Sequence, residues 1–322
     1  MKAKKIRYII LFFLLAAAVG ACIYSYPIWK DAGVLRRHMA AGQFTFELEV
    51  ELDRIALEAG QAKLLENLAK LTGYEEDALF RLRIKGRIRG DKIQALIYPE
   101  GEEEPLIELY LSDELDAVNE TLPYNTIRKN LVEKVALLDH IMPAELEAVY
   151  MTLEQVEQIF DLDLSRIREF HLPEFSTDRS TAAYFPLLAL APKERTEQGC
   201  RYGVAMEQVR MEVEIGSSGS GENGNAEPGG EETGIVRIEF SMENPGELAE
   251  QQAALLSRLG VELPVGELQM LKSISAVIEL GKGEKPEAPT RFMDQEKVDL
   301  IVKIRDLIRE ISDFFTPEEK RL

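Results

Sequence analysis

Residues 44–53 read Phe-Thr-Phe-Glu-Leu-Glu-Val-Glu-Leu-Asp, an unbroken alternation. Phe44, Phe46, Leu48, Val50 and Leu52 fall on one parity, and Thr45, Glu47, Glu49, Glu51 and Asp53 on the other. A period of two places each set on its own side of a pleated strand, so this stretch predicts a strand with one buried face. A second alternation follows at 80–89. There Phe80, Leu82, Ile84 and Ile88 face one way and Arg81, Arg83, Lys85, Arg87 and Arg89 the other. One strand thus carries an acidic outer row and the other a basic one. The two rows predict neighbours in one sheet, paired charge to charge across the solvent face. An exposed pair contributes only about 0.2–1 kcal/mol, so the pattern specifies register more than it stabilises. Anion binding by the basic row is the functional alternative to a solvated face.

Working outward, Leu57, Leu64, Leu65, Leu68 and Leu71 predict a helix from Arg54 to about Thr72, with Gly73 as its stop. Lys92 to Tyr98 and Leu106 to Leu111 predict two more strands, separated by an acidic loop from Pro99 to Pro105. Together these strands form a meander. Glu102, Glu103 and Glu104 lack the spacing of a calcium loop and read as solvated.

Residues 113–172 read as mostly helical, with one helix from Tyr124 to Ile141. A second starts at Thr152, where Gln155 completes a capping box. Ala182 to Ala191, broken by Pro186, reads as an edge strand or buried loop. Arg201 to Ile215 reads as one long strand and Ile235 to Met242 as its hairpin partner. The Gly/Ser/Asn/Glu-rich stretch at 216–234 is then a disordered tip. Asn244-Pro245-Gly246-Glu247 opens a helix that ends at Gly260, and Ser273 to Leu280 is a further strand. Asp294 caps a last helix carrying Val298, Ile301, Ile304, Leu307, Ile308, Ile311 and Phe315 on one stripe.

The chain start places this body. Lys2, Lys4, Lys5 and Arg7 precede an uncharged run from Tyr8 to Trp29. Its 22 residues would span about 33 Å as a helix, enough to cross a bilayer. The basic flank keeps the N-terminus cytoplasmic and sends the remainder outside. The organisation expected is a basic segment at 1–7, a single-pass signal anchor at 8–29 and one extracytoplasmic domain at 30–322. Two other readings stand beside the retained anchor. Val19 and Ala21 suit a signal-peptidase site, and Val19-Gly20-Ala21-Cys22 resembles a lipobox with Cys22 as the lipidated residue.

Composition narrows function mostly by exclusion. The 322 residues are 45% hydrophobic, so the chain can bury a core, and the net charge of −19 argues against nucleic acid as a partner. Two cysteines rule out a disulfide framework. No phosphate loop, dinucleotide fingerprint, HExxH or nucleophile elbow occurs, so no cofactor, metal or catalytic residue is expected. His38, His140, His171 and Cys200 read as structural. The sequon Asn119-Glu120-Thr121 carries meaning only in a eukaryotic host.

The expected fold is therefore α+β: a curved antiparallel meander with helices packed on one face, behind an N-terminal membrane helix. Over Phe44 to Leu52, Phe80 to Ile88, Ile93 to Tyr98 and Leu106 to Leu111, this order resembles envelope proteins of the lipoprotein-carrier type. The helix between the first two strands and the long insertion depart from that pattern. The resemblance implies a half-barrel around an apolar cavity for acyl chains. If a cavity exists, the inward residues of the meander, Phe44, Phe46, Leu82, Ile84 and Leu96, line it; the alternative is that these same residues form the core. The leading expectation is a membrane-anchored, non-enzymatic envelope protein that binds a lipid, another hydrophobic ligand or a partner protein. A structural or regulatory envelope subunit acting through its outer surface is the alternative, and an extracytoplasmic hydrolase the second alternative.

Overall fold

The computed structural model describes residues 25–57, 59–140, 142, 147–161, 164, 180–197, 199–216, 236–250, 268–281 and 283–315. These form an α+β fold built on a large antiparallel sheet. Its strands are β1 (Gln43–Leu52), β2 (Arg81–Arg89), β3 (Lys92–Pro99), β4 (Ile107–Leu111), β5 (Ala117–Asn119), β6 (Tyr150–Thr152), β7 (Lys193–Thr196), β8 (Gly199–Ala205), β9 (Val209–Gly216), β10 (Val236–Glu243) and β11 (Leu271–Leu280). The hydrogen-bonded order is β6-β5-β4-β3-β2-β1-β11-β10-β9-β8-β7. All neighbours but β1 and β11 are consecutive in the chain.

The chain divides into two compact units. One draws on residues up to Thr45, Phe175–Glu243 and Ser275–Lys282; the other on Phe46–Glu174, Asn244–Ile274 and Gly283–Leu322.

In the second unit the expected meander is present. Strand β2 pairs β3 with Leu82 opposite Pro99 and Arg89 opposite Lys92, and β3 pairs β4 with Ile93 opposite Leu111. The charge rows meet as their pattern requires. Lys85 Nζ lies 3.3 Å from Glu47 and Arg81 Nε 3.4 Å from Glu51. Helix α2 (Ala59–Thr72) starts later than its leucine spacing suggests. The Asp53 carboxylate instead accepts the Ile55 N–H at 2.8 Å, which turns the chain first. Gly73, at φ +83°, ends α2 as expected. Asn130 of α3 (Thr121–Lys134) completes the cap, its Nδ2 donating to the carbonyls of Lys70 and Leu71. One core cluster joins Ala69 of α2 to Leu79 and Leu106, with Leu65, Leu68, Tyr74 and Ile107 packed around it. A second joins Met151 of β6, Ile159 of α4 (Leu153–Phe160) and Val298 of the last helix, at Gln295–Phe315. The capping box at Thr152 and Gln155 opens α4 with both hydrogen bonds in place.

Several readings need correction. Among the described residues of 113–172 helix prevails as expected, but two short strands, β5 and β6, lie there too, and the helix expected over Tyr124–Ile141 is α3 followed by a 3-10 turn at Ala136–His140. The helix opening at Asn244-Pro245 is present over 245–250, with Asn244 in the cap position: its carbonyl accepts the Leu248 N–H, although its backbone sits at φ +48°. The expected stop at Gly260 lies outside the described residues.

In the first unit, Thr181–Ala189 is helix α5, not an edge strand or loop. Its all-round apolar character hid the helical period, and Pro186 argued against regular structure. The single strand expected over Arg201–Ile215 is a hairpin. Strands β8 and β9 turn back through Met206–Gln208, closed by Met206 N–H to the Val209 carbonyl at 2.7 Å. Strand β7, unforeseen, pairs with β8. The pairing of β9 with β10, Val236 opposite Ile215, bears out the hairpin around the insertion; the residues 217–235 between them lie outside the described set.

Residues 25–41 form helix α1, which contains the expected boundary at 29/30. Ile28, 2% exposed, Ala32 and Leu35 are buried. Residues 1–24, with most of the apolar run and Cys22, lie outside the described residues, as does His171. Among the described residues, no helix is long and apolar enough to cross a membrane.

Candidate functional site

The cross-strand register sorts the five apolar candidates by face. Leu82, Ile84, Gly86 and Ile88 of β2 oppose Pro99, Ile97, Ala95 and Ile93 of β3, and the row continues to Ile107, Leu109 and Leu111 of β4. A Cβ built on Gly86 would stand 2.2 Å from Cζ of Phe46, so the Phe46 ring lies across β2 on this same face. The structure thus brings Phe46, Leu82 and Ile84 together, all half-buried. Phe44, earlier on β1, is buried. Leu96 is not with them. It opposes Lys85 on one side and Glu108 on the other, which places it on the opposite face of β3.

That opposite face carries a chain of polar groups which the sequence reading missed. Arg87 pairs with Glu284 at 3.2 Å and donates through Nε to Gln94 at 2.9 Å. Gln94 donates to Oε1 of Glu108. The other carboxylate oxygen of Glu108 accepts from Asn119 Nδ2 and from the Tyr150 hydroxyl, each at 2.9 Å. Asn119 in turn accepts from the Thr121 N–H and hydroxyl. Burial, then the hydrogen bond and charge of Glu108, push the Tyr150 phenol up to about 12. Asn119 and Thr121 are buried, and Tyr150 stacks at 6.5 Å on Phe292. Arg87, Gln94, Glu108, Asn119 and Tyr150 lie on five different strands and Glu284 on a loop, so no local motif announces them.

At the solvent-facing charge rows, Glu51 is the hub. It accepts from Lys272 at 2.7 Å and from Arg81 at 3.4 Å. The Lys272 hydrogen bond, partly opposed by burial, holds its carboxyl below the ordinary 4.5. The basic row is therefore engaged by acidic neighbours at Arg81 and Lys85. Arg54 makes a similar knot, 3.2 Å from Glu66 and 3.1 Å from Asp77, with its guanidinium over the Phe80 ring.

In the first unit, Asp31 of α1 accepts from Lys193 of β7 at 3.0 Å and from the Tyr202 hydroxyl of β8. Lys193 also lies over the Tyr202 ring, 5.0 Å from its centroid. Tyr202 is 1% exposed, so this cluster pins α1 to the sheet. Cys200 is a free, half-buried thiol opposite Ile215. Among the described residues, no three His, Cys, Asp or Glu side chains are grouped so as to hold a metal ion.

Compared with protein-family models, with curated proteins and with solved structures, the chain has no match.

Proposed function

We propose that this chain is a membrane-tethered, extracytoplasmic, non-catalytic envelope protein that holds a hydrophobic ligand of acyl-chain character against its sheet. The observation that supports this most is the half-buried state of Phe46, Leu82 and Ile84 on one continuous apolar face. A side chain that is neither sealed in a core nor surrounded by water leaves apolar area for a ligand to cover. In this reading the sheet curves around the ligand with its helices on the same face. The uncharged run from Tyr8 carries the anchor, and the basic segment before it stays in the cytoplasm. Native mass spectrometry of the full chain, purified gently from its own host, tests the ligand. A stoichiometric adduct of lipid mass supports the proposal. A bare chain that also takes up no added lipid overturns it.

The second reading is an envelope subunit acting through its outer surface. The ion pairs of Glu47 with Lys85 and of Glu51 with Arg81 and Lys272 favour it, because they arrange a patterned charged face for a partner. A bare chain that co-purifies stoichiometrically with another envelope protein is its expected signature.

A further inference from the structure

Helix α5 is uncharged and nearly all apolar, yet half of it is open to solvent. From Ser180 to Pro192 no residue carries a charge. Tyr184 and Leu188 are buried, which fixes the inward side. The outward side is Ala182, Ala183, Pro186, Leu187 and Leu190, with Leu187 59% and Leu190 86% exposed. A helix that is apolar all round belongs in a core or in lipid, and among the described residues Leu187 and Leu190 on the outward side of α5 stay exposed.

Its neighbour indicates which occupant fits. Trp29 near the start of α1 stacks on Phe185 of α5 at 5.8 Å, and Gly33 faces Thr181. Trp29 is itself 48% exposed and Tyr26 71%. Aromatic side chains with one polar edge concentrate where a bilayer meets water. Lys30, on the next position and exposed, has the long stem that suits a headgroup. The uncharged run that begins at Tyr8 ends at Trp29, so the stretch of α1 that packs on α5 is the sequence end of that run. We infer that the outward face of α5, together with Tyr26 and Trp29, is a membrane-docking surface that rests in the interfacial layer of the bilayer holding the anchor. This inference rests on the tethered reading given under the proposed function. Its occupant is the lipid surface, not a second protein.

The test uses the full chain in phosphatidylcholine/phosphatidylglycerol vesicles. Trp29 is the chain's only tryptophan, so Trp29→Phe gives a silent background. Leu187→Trp, Leu190→Trp and Met206→Trp are then made one at a time, Met206 being exposed on the β8–β9 turn of the same unit. Lipids brominated along their acyl chains are expected to quench tryptophan at 187 and 190 and to leave 206 bright. Fluorescence at 187 and 190 that bromolipid leaves unchanged overturns the docking surface. If iodide quenches them instead, the face is in water; if neither quenches, another protein segment covers it. An alkaline carbonate wash of the same vesicles decides the anchor separately. A chain that washes off overturns the tether, whereas a chain that stays with unquenched positions 187 and 190 overturns the docking surface alone.

Discussion

The Phe46 ring occupies the space that a side chain at Gly86 would need. A Cβ at Gly86 would lie 2.2 Å from Phe46 Cζ and 2.8 Å from the Gln94 carbonyl oxygen. Gly86 is thus a seat for the aromatic ring, and the ring supplies the packing that glycine cannot. Gly86→Ala is expected to destabilise the fold by about 1–3 kcal/mol through overpacking. The cost falls when Phe46→Leu is combined with it. Urea denaturation of the two single variants and the double variant measures the coupling, and strictly additive losses would contradict the contact.

Glu51→Gln removes the acceptor shared by Lys272 and Arg81. The loss at pH 7 is expected to be about 1 kcal/mol or less, because the pairs are partly exposed. Glu51 is held below 4.5 in the folded chain. Its contribution is therefore full above that value and disappears as pH falls below it. Thermal melts from pH 7 to pH 3 should show wild type and variant converging on the acid side.

Tyr150→Phe keeps the ring stacked on Phe292 and removes one donor from Glu108. A cost of about 1–2 kcal/mol is expected. The phenol in the folded chain titrates near 12 instead of 10. The stability it confers is thus complete below pH 10 and is lost as pH rises from there toward 12. Ultraviolet titration should find one late tyrosinate in wild type. Glu108→Gln should bring it earlier, since the carboxylate charge holds the proton on.

Asp31→Ala deprives Lys193 and the Tyr202 hydroxyl of the carboxylate to which both donate. A loss of about 2 kcal/mol is expected, and less for Asp31→Asn, which keeps an acceptor. Hydrogen exchange should show amides of α1 opening faster in the alanine variant while those of β3 and β4 keep their protection.

Strands β1 to β4 were legible because each carries a clean alternation or sits between turn residues, and the opposed charges of Glu47 and Lys85 announced which strands are neighbours. Thr152 and Gln155 were legible because a cap is a local device. Strand β5 was not, since three residues show no period. Nor was α5, where apolar residues on every side erase the helical signal. Leu96 was misplaced for a related reason. Both parities of β3 contain large apolar residues, Leu96 and Tyr98 on one and Ile93 and Ile97 on the other, so only the pairing with Lys85 and Glu108 decides its face. The Glu108 chain was hidden because its members converge from distant positions in the sequence.

The junction of β1 with β11 bears on how the sheet is made. Every other pair joins strands that follow one another in the chain, so those ladders close over much shorter stretches of chain. Strand β1 must wait for β11, from Leu52 to Leu271, before its second edge is covered. During that interval a long strand offers open backbone to any other nascent copy. Glu47, Glu49 and Glu51, spaced along it at every second residue, would bring like charges together in any such mispairing. The acidic row that aligns β1 with β2 in the finished sheet thus also acts as a gatekeeper against aggregation while the sheet is incomplete.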